Sequence, residues 1–301
     1  MPILIVGKVC RKYLRNRMTK SKMKIGILGL GLIGGSLGFD LRSQGHDVLG
    51  VSRRESTCQK AVALGSVDQA SVDLSLLASA EVVFICTPIA LIVPQFEQLI
   101  AYLPSTTVVT DVGSVKAPIV EAISPLWDNF IGGHPMAGSA DNGIEAAQRD
   151  LFVGKPYVLT PETRTPTAAI SVVEEIVRSL GANIYHCQPE QHDRAVAWIS
   201  HLPVMVSSSL IAACISETDS DVLQLAQKFA SSGFRDTSRV GGGNPELGLM
   251  MARYNRQALL RSLQHYRHNL DKLIHLIEQE DWTVLEERLK STGKARPDFV
   301  E

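Results

Sequence analysis

Three sets of residues in this chain have the types and spacing to do chemistry. The first is Gly29-Leu30-Gly31-Leu32-Ile33-Gly34, which fits G-x-G-x-x-G. It follows an apolar run at 24–28 and opens a helix-favouring stretch at 33–43, and that setting is what turns a weak pattern into a dinucleotide site. Gly29 allows the tight turn. Gly31 lets backbone approach a pyrophosphate, with Leu32 and Ile33 beside it. Gly34 permits close packing of helix on strand, and the helix N-terminus favours the anion. A glycine-rich turn without a ligand is the plainer alternative, and the order and spacing disfavour it.

The second set ends the next strand. An NAD site usually keeps an acid there for the ribose 2′-hydroxyl. This chain reads Val51-Ser52-Arg53-Arg54 instead. A carboxylate would repel a 2′-phosphate, whereas arginine binds it by charge-assisted hydrogen bonds. The pattern predicts NADP, with Ser52, Arg53 and Arg54 as contacts; ordinary surface arginines are the alternative. Thr87 and Pro88, which stop a later strand, are counted with the cofactor contacts.

The third set is Thr110-Asp111-Val112-Gly113-Ser114-Val115-Lys116, then Gly132-Gly133-His134-Pro135-Met136-Ala137-Gly138-Ser139, then Ser200-His201-Leu202-Pro203. The first two follow strands, where an open α/β sheet exposes its ligand-binding loops. His134 is expected in the loop after a short strand at 130–133. Its alternative is a structural histidine, and the same holds for His201, which falls inside a helix beside a proline.

These residues need a frame. Apolar runs at 47–52, 81–86 and 107–111 read as buried strands, like those at 24–28 and 130–133. Helical stretches at 89–102 and 116–127 separate them. Strands alternating with helices predict βαβ units and a parallel sheet. Two late strands, 157–160 and 183–187, flank a helix at 167–180. From about Pro189 the chain is helix-favouring and strand-poor, with segments at 191–216, 221–231 and 246–280. The last is long enough to need a bundle or a subunit interface. The expected architecture is an α/β, Rossmann-like dinucleotide-binding domain at 23–188, then an all-helical domain at 189–301. His265 and His268 are expected to be solvated or interface residues.

Bulk composition excludes several classes. The 301 residues are 45% hydrophobic with a net charge of −1, which excludes a disordered chain and a nucleic-acid binder driven by bulk charge. Residues 1–22 hold seven basic residues and no acid. That leader is expected to be disordered, or to reflect a start at Met18 or Met23, and its removal should leave activity intact. Five scattered cysteines with no Cys-x-x-Cys fit a reducing cytoplasm, not a disulfide framework or a metal site. The apolar runs are strand-sized, short of the ~20 residues of a membrane helix. The expected partner is a small molecule, with neither nucleic acid nor membrane.

In this order, GLGLIGGSLG, TDVGSVK, GGHPMAGS, SHLP and the later Arg239 resemble the prephenate/arogenate dehydrogenase family of tyrosine biosynthesis, over essentially all of 23–280. The resemblance implies a homodimer joined through the helical domain. It also implies oxidative decarboxylation of a cyclohexadienol, in which a hydride leaves the hydroxyl-bearing carbon, carbon dioxide is lost and the ring becomes aromatic. By position, His134 matches the histidine that takes the ring hydroxyl proton, and Ser114 the serine that supports it. Arg239 matches the arginine that binds the ring carboxylate, and His201 the second histidine near the substrate. Such types suit the reaction, because an imidazole of ordinary pKa ~6.5 accepts a proton near neutrality and a guanidinium stays charged.

Ser139 and Asp141 are expected to touch the substrate side chain. Prephenate-using members often carry an acid soon after the histidine motif, where this chain has Ala140 with Asp141 one place later. Together with the NADP-type strand end, that favours arogenate, with prephenate as the alternative substrate. No stretch is expected to hold a regulatory or fused domain. Two rivals lack this set of residues: a β-hydroxyacid or imine-reductase-like dehydrogenase, and a non-catalytic NADP(H)-sensing protein.

Overall fold

The computed structural model describes residues 22–138 and 141–300. The basic leader up to residue 21 lies outside the described residues, as does Ser139. By packing, the chain divides into two compact units: one runs to Gly113 and resumes at Ile119–Cys187, while the other joins Ser114–Pro118 to the chain from Gln188 onward.

The first unit is built on an eight-stranded sheet: β1 (Lys24–Leu28), β2 (Asp47–Val51), β3 (Gln69–Ser71), β4 (Val82–Ile85), β5 (Val108–Asp111), β6 (Phe130–Pro135), β7 (Pro156–Thr160) and β8 (Asn183–His186). Their spatial order is β3-β2-β1-β4-β5-β6-β7-β8. Strand β1 is central and pairs in parallel with β2 and β4. Helix α1 (Leu32–Ser43) follows β1, α2 (Glu55–Ala63) follows β2, α3 (Ile89–Leu99) follows β4 and α4 (Ala117–Ile123) follows β5. Helix α5 (Thr167–Ser179) joins β7 to β8. Both faces of the sheet are covered. Ile25, Ile27, Val82 and Phe84 pack into one core, and Leu28, Val83, Ile85 and Phe96 into another. Consecutive strand residues therefore point into two different apolar layers, which is why the strands read as unbroken apolar runs.

Two expectations are corrected here. The sheet is not wholly parallel, because β7 runs antiparallel to β6. Among the described residues the connection between them carries a 3₁₀ turn at Ile144–Ala146 and no longer helix, and an antiparallel return needs no crossover helix. Strand β6 extends two residues beyond the expected end, so His134 is a strand residue, opposite Val158 of β7, and not a loop residue. Two elements went unread. Helix α2 has few apolar residues, and β3 is a three-residue polar edge strand with no apolar alternation to see.

The second unit is helical. Helices α6 (Pro189–Val196) and α7 (Leu202–Ile215) are joined through a π-helical turn, Ala197–His201. Pro203 accounts for the turn: its ring would clash with the carbonyl four residues back, so the chain widens by one residue ahead of it. The run Pro189–Ile215 is continuous, and by length and composition alone it is long and apolar enough to cross a membrane. That corrects the reading of strand-sized apolar runs: mean hydropathy over a helical window of this run reaches 1.6 although polar residues interrupt it. Next come α8 (Ser220–Phe229), α9 (Ser232–Ser238), α10 (Pro245–Tyr254), α11 (Arg256–Glu278), α12 (Trp282–Ala295) and α13 (Pro297–Val300). The single helix expected at 246–280 is thus two, broken at Asn255, whose backbone leaves helical geometry at φ −113° and ψ 35°.

Candidate active site

The glycine loop has the geometry its motif implies. Gly29 has φ +107°, a conformation that side chains disfavour, and its amide donates to Val51 O at 2.8 Å. A Cβ on Gly34 would lie 2.0 Å from Gly29 O, so the helix can sit this close to the loop only without one. A Cβ on Gly31 would meet nothing within 4 Å, and Gly31 caps α1 with no side-chain hydrogen bond. The helix N-terminus therefore presents backbone N–H groups to open space, as a phosphate requires.

Beside this turn, Thr87 Oγ1 is buried with no partner among the described residues. Pro88 caps α3. Ser52 is half-buried, while Arg53 and Arg54 are exposed, and neither arginine enters an ion pair among the described residues. An open cradle, an orphaned hydroxyl and two unpaired guanidinium groups fit a dinucleotide along the ends of β1, β2 and β4.

The strand ends at β5 and β6 share one anchor that sequence reasoning passed over. Asp111 is wholly buried, and its carboxyl accepts from Gly113 N at 2.8 Å and from Gly133 N at 3.2 Å. Those amides belong to the residues immediately before Ser114 and His134. One side chain thus holds the approaches to both candidate catalytic residues. His134 is 8% exposed. The Asp in TDVGSVK was the available signal, since an acid at the buried end of a strand needs donors. Burial, and secondarily Asp111, push the Cys86 thiol well above its ordinary range, so it stays protonated.

Ser114 packs with the helical unit, and a second buried carboxyl organises its neighbours. Asp193 of α6 accepts from the backbone amides of Lys116 at 2.6 Å and Ala117 at 2.9 Å, which makes it the N-terminal cap of α4. His192 Nδ1 lies 2.8 Å from the same carboxyl. The Asn255 side chain donates to Asp193 O at 2.8 Å and lies 3.1 Å from His201 Nδ1. His201 is wholly buried, and burial, partly offset by Asp193, lowers its pKa to about 4. The segment carrying Ser114 and the ring of His201 therefore belong to one hydrogen-bonded network, through Asp193 and Asn255, neither of which the motifs singled out.

Arg239 ends α9 and is exposed. The Ser207 hydroxyl of α7 donates to Thr237 O and accepts from Gly241 N, both at 2.8 Å, and so clamps the backbone on either side of it. Asp141 is exposed. Among the described residues, no group of three or more His, Cys, Asp or Glu side chains has the geometry to hold a metal ion.

Comparison with known proteins agrees with this arrangement. The family described as prephenate dehydrogenase, nucleotide-binding domain, matches residues 37–186, and the one described as prephenate dehydrogenase, dimerization domain, matches 188–291. A prephenate dehydrogenase of Bacillus subtilis is 31% identical over 88% of this chain and 72% of its own length. The crystal structure of an arogenate dehydrogenase from Synechocystis is 57% identical, with a TM-score of 0.85, over 92% of this chain and 100% of that one. A prephenate dehydrogenase from A. aeolicus, solved with hydroxyphenyl propionate and NAD+, is 27% identical with a TM-score of 0.88, covering 93% of this chain and 99% of its own. With the glycine cradle, the anchored strand ends and both family domains in sequence, the chain belongs to the prephenate/arogenate dehydrogenase family of oxidoreductases.

Proposed function

We propose that this protein converts arogenate to tyrosine by oxidative decarboxylation, with NADP as the hydride acceptor. The end of β2 carries the cofactor reading: no acid follows the strand, and Arg53 and Arg54 stand exposed and unpaired where a 2′-phosphate would lie. The 57% identity to an arogenate dehydrogenase supports the substrate, as does Ala140 in the position where prephenate-using relatives often carry an acid. Prephenate, giving 4-hydroxyphenylpyruvate, is the second reading, favoured by the B. subtilis and A. aeolicus relatives.

The bound nicotinamide supplies the acceptor for the hydride that leaves the hydroxyl-bearing ring carbon. As that carbon becomes carbonyl-like, its hydroxyl proton becomes acidic, and His134 takes it. The bond to the ring carboxylate then breaks, carbon dioxide leaves, and the electron pair enters the ring. The oxygen recovers a proton from His134 to become a phenol. Ser114 supports the imidazole and the substrate hydroxyl. Arg239 holds the ring carboxylate, and His201, Ser139 and Asp141 contact the remaining polar groups.

Because aromaticity and loss of carbon dioxide drive the reaction, the protein's task is positioning and proton transfer. Homodimerisation through the helical unit is part of the same reading, supported by apolar side chains that unit leaves exposed, among them Ile215, Phe229 and Leu249. The free thiols of Cys58, Cys86 and Cys214 support a reducing compartment such as the cytoplasm. Steady-state assays of the purified protein with arogenate and prephenate, each with NADP and NAD, test the proposal. The expected result is the highest kcat/KM for arogenate with NADP; a preference for prephenate or for NAD overturns the corresponding half.

A further inference from the structure

We propose that Asn255 is a positioning residue that fixes His201 as the Nε2–H tautomer, so that the ring offers a hydrogen-bond donor to an acceptor oxygen of the substrate. The inference rests on the reading of His201 as a substrate contact. Its starting point is an atom with one possible role. Asp193 O is a backbone carbonyl and can only accept, so the group of Asn255 that lies 2.8 Å from it is the amide NH₂ and not the amide oxygen. The same nitrogen lies 3.1 Å from His201 Nδ1. An NH₂ has two hydrogens, and with one directed to the carbonyl the other serves the ring. Nδ1 therefore accepts and carries no proton, which leaves the single proton of a neutral imidazole on Nε2.

Three observations agree with this. His201 is wholly buried, and its Nε2 has no hydrogen-bond partner among the described residues. A buried N–H without an acceptor is costly, and such orphans are rare unless a ligand supplies the partner. The titratable groups that face the ring are Asp193 and His192, and burial outweighs the attraction of Asp193, so the ring is neutral near pH 7. Finally, Asn255 sits where the chain leaves helical geometry between α10 and α11, and it is 5% exposed. The break carries the amide, and the amide has both of its hydrogens committed. A neutral ring with a fixed donor suits an anionic or carbonyl-type oxygen and excludes a role for His201 as a base.

Nitrogen-15 NMR of histidine-labelled protein, with the His201 signals assigned from a His201→Gln variant, reads the tautomer in the enzyme free of substrate. The expected wild-type spectrum shows a protonated Nε2 and an unprotonated Nδ1, and the Nε2 signal shifts on titration with tyrosine. Asn255→Asp places an acceptor against Nδ1 and should move the proton there; Asn255→Ala should leave a mixture. In both variants the KM for the cyclohexadienol substrate is expected to rise about tenfold or more, with cofactor affinity within about twofold of wild type.

A wild-type ring protonated at Nδ1 overturns the proposal, and this spectrum decides even if neither variant folds. An Nε2–H tautomer that persists unchanged in both variants also overturns it. A tautomer that moves while substrate KM stays constant keeps Asn255 as the lock but refutes the substrate contact, which is then the reading of His201 that has failed.

Discussion

Asp111 spends both oxygens on backbone amides, and this separates two kinds of importance at the residue scale. His134→Asn removes the proposed proton acceptor and leaves the backbone of β6 in place, so kcat should fall about a thousandfold. Undiminished turnover would remove His134 from its role. Asp111→Asn turns one of two acceptors into a donor that faces an N–H. The expected cost is about 2 kcal/mol in denaturant melts, with a smaller loss of kcat than in His134→Asn. Wild-type stability in Asp111→Asn would mean that the anchor is not structural.

His201 supplies a pH signature. Its pKa falls from the ordinary 6.5 to about 4 in the folded chain. Between those values the unfolded chain binds the proton and the native one does not. Native stability is therefore undiminished above pH 6.5, falls as pH drops through this window, and is fully reduced below 4, by about 3 kcal/mol for this group. Replacing His201 with Gln should flatten the slope of stability between pH 4 and 6.5; an unchanged slope would assign it to other groups.

At the scale of elements, the glycine loop makes a paired test. Gly34→Ala forces a Cβ into the backbone of Gly29, and the loop or α1 must move. It should lower the melting temperature and abolish cofactor binding together. Gly31→Ala meets nothing in the protein and keeps an ordinary backbone conformation. It should leave stability unchanged and raise cofactor KM about tenfold, because the added methyl occupies the approach of the pyrophosphate. If the two variants behave alike, Gly31 does not face the ligand.

Local pattern was sufficient for most of these elements, since β1 runs over the expected residues and α1 differs by one. It failed where one residue overruled the pattern. Asn255 breaks a long apolar periodicity, and the hydrogen bonds its side chain makes are to Asp193 and His201, 62 and 54 positions away in the chain. No window of neighbouring residues contains that information.

At the scale of the molecule, the helical unit leaves much apolar surface uncovered. Helices α8 and α12 bury none of their residues, and Phe229 is 73% exposed. Amphipathic helices of this kind are stable when a second surface covers their apolar faces. Phe229→Glu costs the isolated chain little, but it should shift the particle toward a monomer in sedimentation experiments. An unchanged dimer would place the interface elsewhere on the unit.

The amino-acid sequence by itself determined the class of chemistry. The glycine spacing, the missing acid after β2 and the paired TDVGSVK and HPMAG motifs are local, and each is read within a few residues. The tertiary structure decided what holds those motifs in place. His134 became a strand residue because β7 returns antiparallel beside it, and Asp111 became an anchor because β5 and β6 bring Gly113 and Gly133 to its two oxygens. The tautomer of His201 rests on an amide 54 residues away. The physical reason is common to all three. A buried polar group must find its partners, and only the folded chain determines which distant atoms are near enough to serve.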